Sequence, residues 1–300
     1  MSDMTMTMGA QGAPVRKKRK KKSMFVEVMK RLLQNPVAII GLAILMILII
    51  LAVFAPLIAP YGPIDMDFSA IKQTPNAQHI FGTDQFGRDI FSRCIYGGRN
   101  SLLLGFVSAI TGVLCGLALG SLIGFIGGEV DMVCMRICDI LTAIPGNLIA
   151  ILLSVVLGGG FVPTIIAMTV GGIPHQIRGV RAMCLKEREQ EYLEAATAIG
   201  CRKWKIMYKH MLPNIISPSI VSTTMGIGGS IMGAAGLSYI GLGIQPPSPE
   251  WGAMISAGRD FVQLYPHMLL FPGIMIAVTV LATNMFGDGL RDALDPKLKK

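Results

Sequence analysis

Charge is scarce in this chain: Asp, Glu, Lys and Arg together make up 15% of the 300 residues, and aromatic residues only 7%. A soluble domain of this size carries roughly a quarter charged residues, so the shortage argues against one. No G-x-x-x-x-G-K-[ST] occurs, which excludes a P-loop for ATP phosphates, and neither HExxH nor GxSxG is present. The four histidines, at 79, 175, 210 and 267, lie too far apart in sequence to suggest a metal site. Cys134 and Cys138 have helical spacing but no histidine near them, and the six cysteines form no small-domain disulfide framework. Carboxylates are missing from the middle of every long apolar run, and proton- or sodium-coupled carriers usually need such groups at depth. Catalysis and ion-coupled secondary transport are both disfavoured by what is absent.

What is abundant is apolar. Hydrophobic residues make up 52% of the chain and the mean hydropathy is +0.58, which points to an all-α, polytopic membrane protein. The uncharged run over 37–59 is long enough to cross a bilayer and too long for a signal-peptide core. A second run within 100–128 carries glycines at 112, 116, 120, 124 and 128, a four-residue ladder suited to close helix packing in lipid. Between 140 and 177 there is no charge, and LGGGFVP at 157–163 divides that stretch into two helices, with Pro145 marking a kink or a start. Further runs at 214–244 and within 261–287 complete six expected spans. The expected divisions are a basic tail at 1–35, a first span at 36–60, an outer loop at 61–99, a five-helix core at 100–287 and a tail at 288–300.

The net charge of +9 is unevenly spread. With six spans and both termini inside, 22 of the 27 Lys and Arg fall on the inner side, as the positive-inside rule requires. The run Arg16–Lys22 imitates a nucleic-acid arm, but beside a span it reads as an orienting tail that touches anionic membrane lipid; no nucleic-acid partner is expected.

One polar stretch interrupts the second half, EYLEAATAIGCRKWKIMYKHMLPN at 191–214. Leu185, Tyr192, Ala196 and Ile199 fall at helical spacing, Gly200 permits a turn, and Pro213 suits the first turn of a following helix. Short helix, turn, second helix and span is the expected order. Spacing alone leaves open a solvated amphipathic loop with no partner.

Glu194-Ala195-Ala196, then Gly200, then Leu212-Pro213 resembles the EAA loop of permease subunits in ABC importers, with His210 in place of the usual aliphatic residue. Three further strings resemble the second (C-type) permease of the dipeptide, oligopeptide and nickel branch: HIFGTDQFGRDIFSRCIYGGRNSLLLG, LSYIGLGIQPPSPEWGAM and FGDGLRDALDPKLKK. The resemblance implies a six-helix fold whose cytoplasmic loop, 178–213, docks on an ATPase through Glu194, Ala195, Ala196 and Gly200, with Leu212 and Pro213 leading into the fifth span. It also implies a heterodimer with a homologous permease, two cytoplasmic ATPase subunits that hold the ATP and Mg, and an extracytoplasmic solute-binding protein. No cofactor is expected in this chain. Peptides are the expected solute; nickel or another small solute, or a carrier or channel working without ATPases, are the alternatives.

In the outer segments, Asp84/Arg88 and Asp89/Arg93 have i,i+4 spacing and predict a short surface helix laced by ion pairs. Asp84, Gly87, Arg88, Asp89 and the loop with Pro246, Pro247 and Trp251 are candidates for gating or binding-protein docking, beside plain structural roles. Trp251 is expected at the membrane interface.

Overall fold

The computed structural model describes residues 24–294. The basic run Arg16–Lys22 and the last six residues lie outside the described residues, and with them most of the expected N-terminal tail and part of the C-terminal one. The described chain is built from helices: α1 (Met24–Leu32), α2 (Pro36–Val53), α3 (Ala55–Ile58), α4 (Ile90–Ile126), α5 (Gly128–Thr142), α6 (Gly146–Leu157), α7 (Phe161–Arg188), α8 (Glu191–Ala198), α9 (Lys203–Ile206), α10 (Leu212–Tyr239), α11 (Trp251–Gly258) and α12 (His267–Leu294).

The first long apolar run starts sharply. Asn35 caps α2 by accepting from the backbone N–H of Val37 and Ala38, and Pro36 takes the first turn, where no N–H is needed. The residues α2 buries, Ala38, Gly41, Leu45, Leu48 and Ala52, recur every three or four positions, as one helix face requires. Ala38 and Gly41 sit directly against Gly289 and the backbone of α12.

Helix α4 forms the centre of the fold. At 37 residues it exceeds the ~20 that a bilayer needs. The structure therefore departs from the expected 100–128 span: the helix starts at Ile90, and FSRCIYGG is its first two turns. The glycine ladder packs α4 on α7. A Cβ at Gly116 would lie 2.8 Å from Gln176 Cβ, at Gly120 2.7 Å from the Ile177 carbonyl, and at Gly124 2.8 Å from Cys184 Cβ. Gly112 has only Gln176 Cγ at 3.9 Å, and Gly128 stands outside the helix, at φ +62 after the turn.

Pro145 separates α5 from α6, which meet at 77°. The glycine turn at 158–160 then reverses the chain into α7, as expected. Asp139 pairs with Arg178 of α7 at 2.8 Å and more loosely with its i,i+3 neighbour Arg136 at 3.8 Å. Asp131 forms a bidentate pair with Arg181. Acid side chains of α5 thus tie it to the basic half of α7.

Among the described residues four helical runs are long and apolar enough to cross a membrane: Pro36–Val53, Ile90–Ile126, Lys203–Tyr239 and His267–Leu294. The bent pair α5–α6 makes a fifth. Helix α7 has 28 residues but spends its last three turns on Arg178, Arg181, Lys186, Glu187 and Arg188.

Candidate functional site

The polar stretch folds into a hairpin at one end of the bundle. Helix α7 stops at Arg188, so Leu185 is not on the same helix as Tyr192, Ala196 and Ile199, and the single long face expected from spacing does not exist. Instead α8 buries Leu193 and Ala196, which join Val180, Cys184, Ile206, Met211 and Ile215 in one apolar cluster. Glu194 and Ala195 stay exposed on the outer side. Gly200 turns the chain at φ +76, a conformation most side chains resist. Its tip carries three large exposed groups, Ile199 at 81%, Trp204 at 57% and Tyr208 at 58%.

Between α9 and α10 the helix widens into a π turn, Met207–Met211, closed by the Leu212 N–H donating to the Met207 carbonyl. Pro213 explains the widening. It has no N–H for the Lys209 carbonyl, and its ring would clash there in a regular helix. Leu212 and Pro213 open α10, as expected, within one continuous helical run, 203–239. The hairpin and the ends of α4 and α7 enclose a cleft of about 460 Å³, lined by Phe125, Arg188, Glu194, Trp204 and Met211 among others. Trp204 leans on Phe125, with ring centroids 6.2 Å apart.

The outer candidates converge at the other end of α4, but inside the protein. Asp84, Arg88 and Asp89 are buried, and so is Gly87. No surface helix forms there. The expected Asp84–Arg88 pair forms, but buried: Asp84 accepts from Arg88 Nε at 2.7 Å and closes a turn by accepting from the N–H groups of Phe86 and Arg88. Asp89 does not pair with Arg93. It caps α4 through Ser92 and holds His79 Nδ1 at 2.9 Å, while Arg93 reaches the Pro63 carbonyl. Gly87, at φ +73, lies so close to the Asp67 carbonyl that no Cβ fits. A carboxylate at a helix start does more by capping than by pairing outward.

Trp251 is fully buried, which corrects its expected interfacial place. Its indole N–H donates to the Cys94 carbonyl at 2.9 Å, and its ring fills the space that Gly97 and Gly98 leave on α4. Of the loop candidates only Pro246 and Pro247, joined by a cis peptide bond, are exposed.

Sequence reasoning missed Glu250. Its buried carboxylate caps α11 through Gly252 and Ala253 and accepts from Ser101 Oγ at 3.0 Å. An acidic residue directly before an apolar helix was the available signal. It also missed Tyr192 and Asn214, whose side chains meet at 2.7 Å.

The binding-protein-dependent transport system inner membrane component family matches residues 116–300. This chain belongs to that family. The N-terminal TM domain of oligopeptide transport permease C matches residues 23–75. The permease is 44% identical over 273 residues to the dipeptide transport system permease protein DppC of Alkalihalophilus pseudofirmus, covering 91% of this chain and 90% of that one. It is 42% identical over 274 residues to the glutathione transport system permease protein GsiD of Pectobacterium atrosepticum, covering 91% of each. An inward-facing structure of the MetNI methionine ABC transporter shares the fold, with a TM-score of 0.55, 19% identity, 68% of this chain covered and 97% of that one. The expected family is thereby borne out: this is a permease subunit of an ATP-driven importer, a transport component.

Proposed function

We propose that this permease is the C-type half of a peptide importer, and that the α8–α9 hairpin is its cytoplasmic coupling element. Helix α2, helix α4, the bent α5–α6 pair, α7, α10 and α12 serve as six spans with both termini in the cytoplasm. A homologous permease completes the path, two ATPase subunits that hold ATP and Mg lie beneath, and a solute-binding protein delivers from outside. Two similar relatives are named for dipeptide and glutathione transport, which favours peptides of two or three residues as the solute.

The observation that carries this reading is the hairpin tip. Ile199, Trp204 and Tyr208 stand exposed around a glycine turn, while the hairpin's root is fixed by the buried cluster of Leu193, Ala196, Met211 and Ile215. A loop that meets only water has no reason to present such groups on a rigid base, and exposed apolar patches with polar rims mark protein contacts. Arg202 and Lys205 supply that rim.

The test is purification of the tagged permease with its neighbours. Glu194→Arg and Trp204→Ala are expected to release the ATPases and abolish uptake while membrane insertion persists. Retention of the ATPases with normal uptake of labelled dipeptide overturns the assignment.

A further inference from the structure

One phenolic oxygen joins separate pieces of backbone at the root of the hairpin. The Tyr192 hydroxyl donates to Glu187 Oε1 in the last turn of α7. The same oxygen accepts from Asn214 Nδ2, at 2.7 Å, in the first turn of α10. Asn214 gives its other amide proton to the His210 carbonyl, at 2.9 Å, within the π turn. A phenol has one proton and an amide two, so these bonds use all of them. The His210 carbonyl, 3.4 Å from the Tyr192 hydroxyl, is the second acceptor to which that single proton can turn.

Below this cluster the packing is apolar: Leu193 and Ala196 of α8 join Ile206 of α9, Met211 of the π turn and Ile215 of α10 in one buried cluster. Apolar contact is non-directional and tolerates sliding. Hydrogen bonds weaken steeply with angle and do not. Tyr192 lines neither concavity of the hairpin.

We propose that Tyr192 is a positioning residue that carries displacement of the coupling hairpin into α10 through Asn214, and so sets how much solute moves per ATP hydrolysed. The proposal rests on the coupling role given above. Burial first, and then the bond to Glu187, pushes the phenol's pKa up to about 12. The proton therefore stays in place throughout the physiological range, and the strut is lost only as pH rises through that value.

The experiment uses the whole complex, with binding protein and partner permease, in proteoliposomes, and records ATP hydrolysis and labelled-dipeptide uptake together. With Tyr192→Phe, the ATPases are expected to co-purify in the wild-type ratio and hydrolysis to stay within about twofold. Dipeptide moved per ATP should fall about five- to tenfold, the scale of one directional hydrogen bond. Asn214→Ala, which leaves the phenol's packing intact, should do the same, and the double variant should be no worse than either single one. An unchanged ratio in Tyr192→Phe, or uptake and hydrolysis falling in parallel, overturns the proposal. Glu194→Arg in the same preparation tests docking separately: if the ATPases stay bound there, the coupling role falls, and this proposal with it.

Discussion

At the scale of single residues, the glycine ladder of α4 separates positions that look alike in sequence. Gly120→Ala would push a methyl to 2.7 Å from the Ile177 carbonyl, backbone that cannot swing away. Overpacking of this kind costs about 1–3 kcal/mol. Gly112→Ala meets only the flexible Gln176 Cγ at 3.9 Å, and alanine favours helix over glycine by about 1 kcal/mol. Thermal unfolding in detergent should therefore show the first variant destabilised and the second neutral or stabilised; the reverse order would refute the packing argument. Glu250 makes an equally local case. Glu250→Ala strands the Ser101 hydroxyl and two N–H groups of α11, at a cost of about 1–3 kcal/mol for each buried group left unsatisfied. Lower thermal stability and faster proteolysis near 245–252 are the expected readouts, with Glu250→Gln less affected because one carbonyl oxygen remains.

At the scale of elements, Pro213 is what keeps the π turn open. Pro213→Ala restores an N–H to the Lys209 carbonyl, and α9 can then join the first turn of α10 as regular α-helix. Removing the extra residue from the turn swings α9 by about 100° relative to α10, the rotation per residue of an α-helix. The variant should be as stable as the parent or more so, yet fail in uptake; normal uptake would show that the π turn is dispensable. The elements themselves were legible where local signals agreed. The glycine turn at 158–160, the Gly200 bend and the run 37–59 follow directly from composition and spacing. The outer segment was not, because i,i+4 spacing cannot distinguish a surface ion pair from a carboxylate that caps. Asp89 took the second role, whereas Asp84 kept its pair with Arg88 but inside the protein, where Gly87 packs against the Asp67 carbonyl. Trp251 was misplaced for a related reason: the small residues that make room for it, Gly97 and Gly98, lie about 150 positions earlier in the chain.

At the scale of the whole molecule, the proposed topology puts the loop at 245–249 and the hairpin on opposite sides of the membrane. In a background lacking the partly exposed cysteines 115, 134 and 201, Ser248→Cys should react with an impermeant thiol reagent in intact cells. Lys205→Cys should react only after permeabilisation. Labelling of Lys205→Cys in intact cells would invert the topology and remove the ATPase from reach of the hairpin.

Helix α4 joins those two sides without a break. Its first turns hold the Asp84–Arg93 cluster and the ring of Trp251, and Phe125, one residue from its end, carries Trp204. Its 37 residues make a rod of about 55 Å. Tilting such a rod by some 5° about one end moves the other by about 5 Å, roughly the rise of one helical turn. The molecule has the proportions of a lever, and on the proposed coupling role a small rotation at the hairpin would be read out as a side-chain-sized displacement at the opposite mouth.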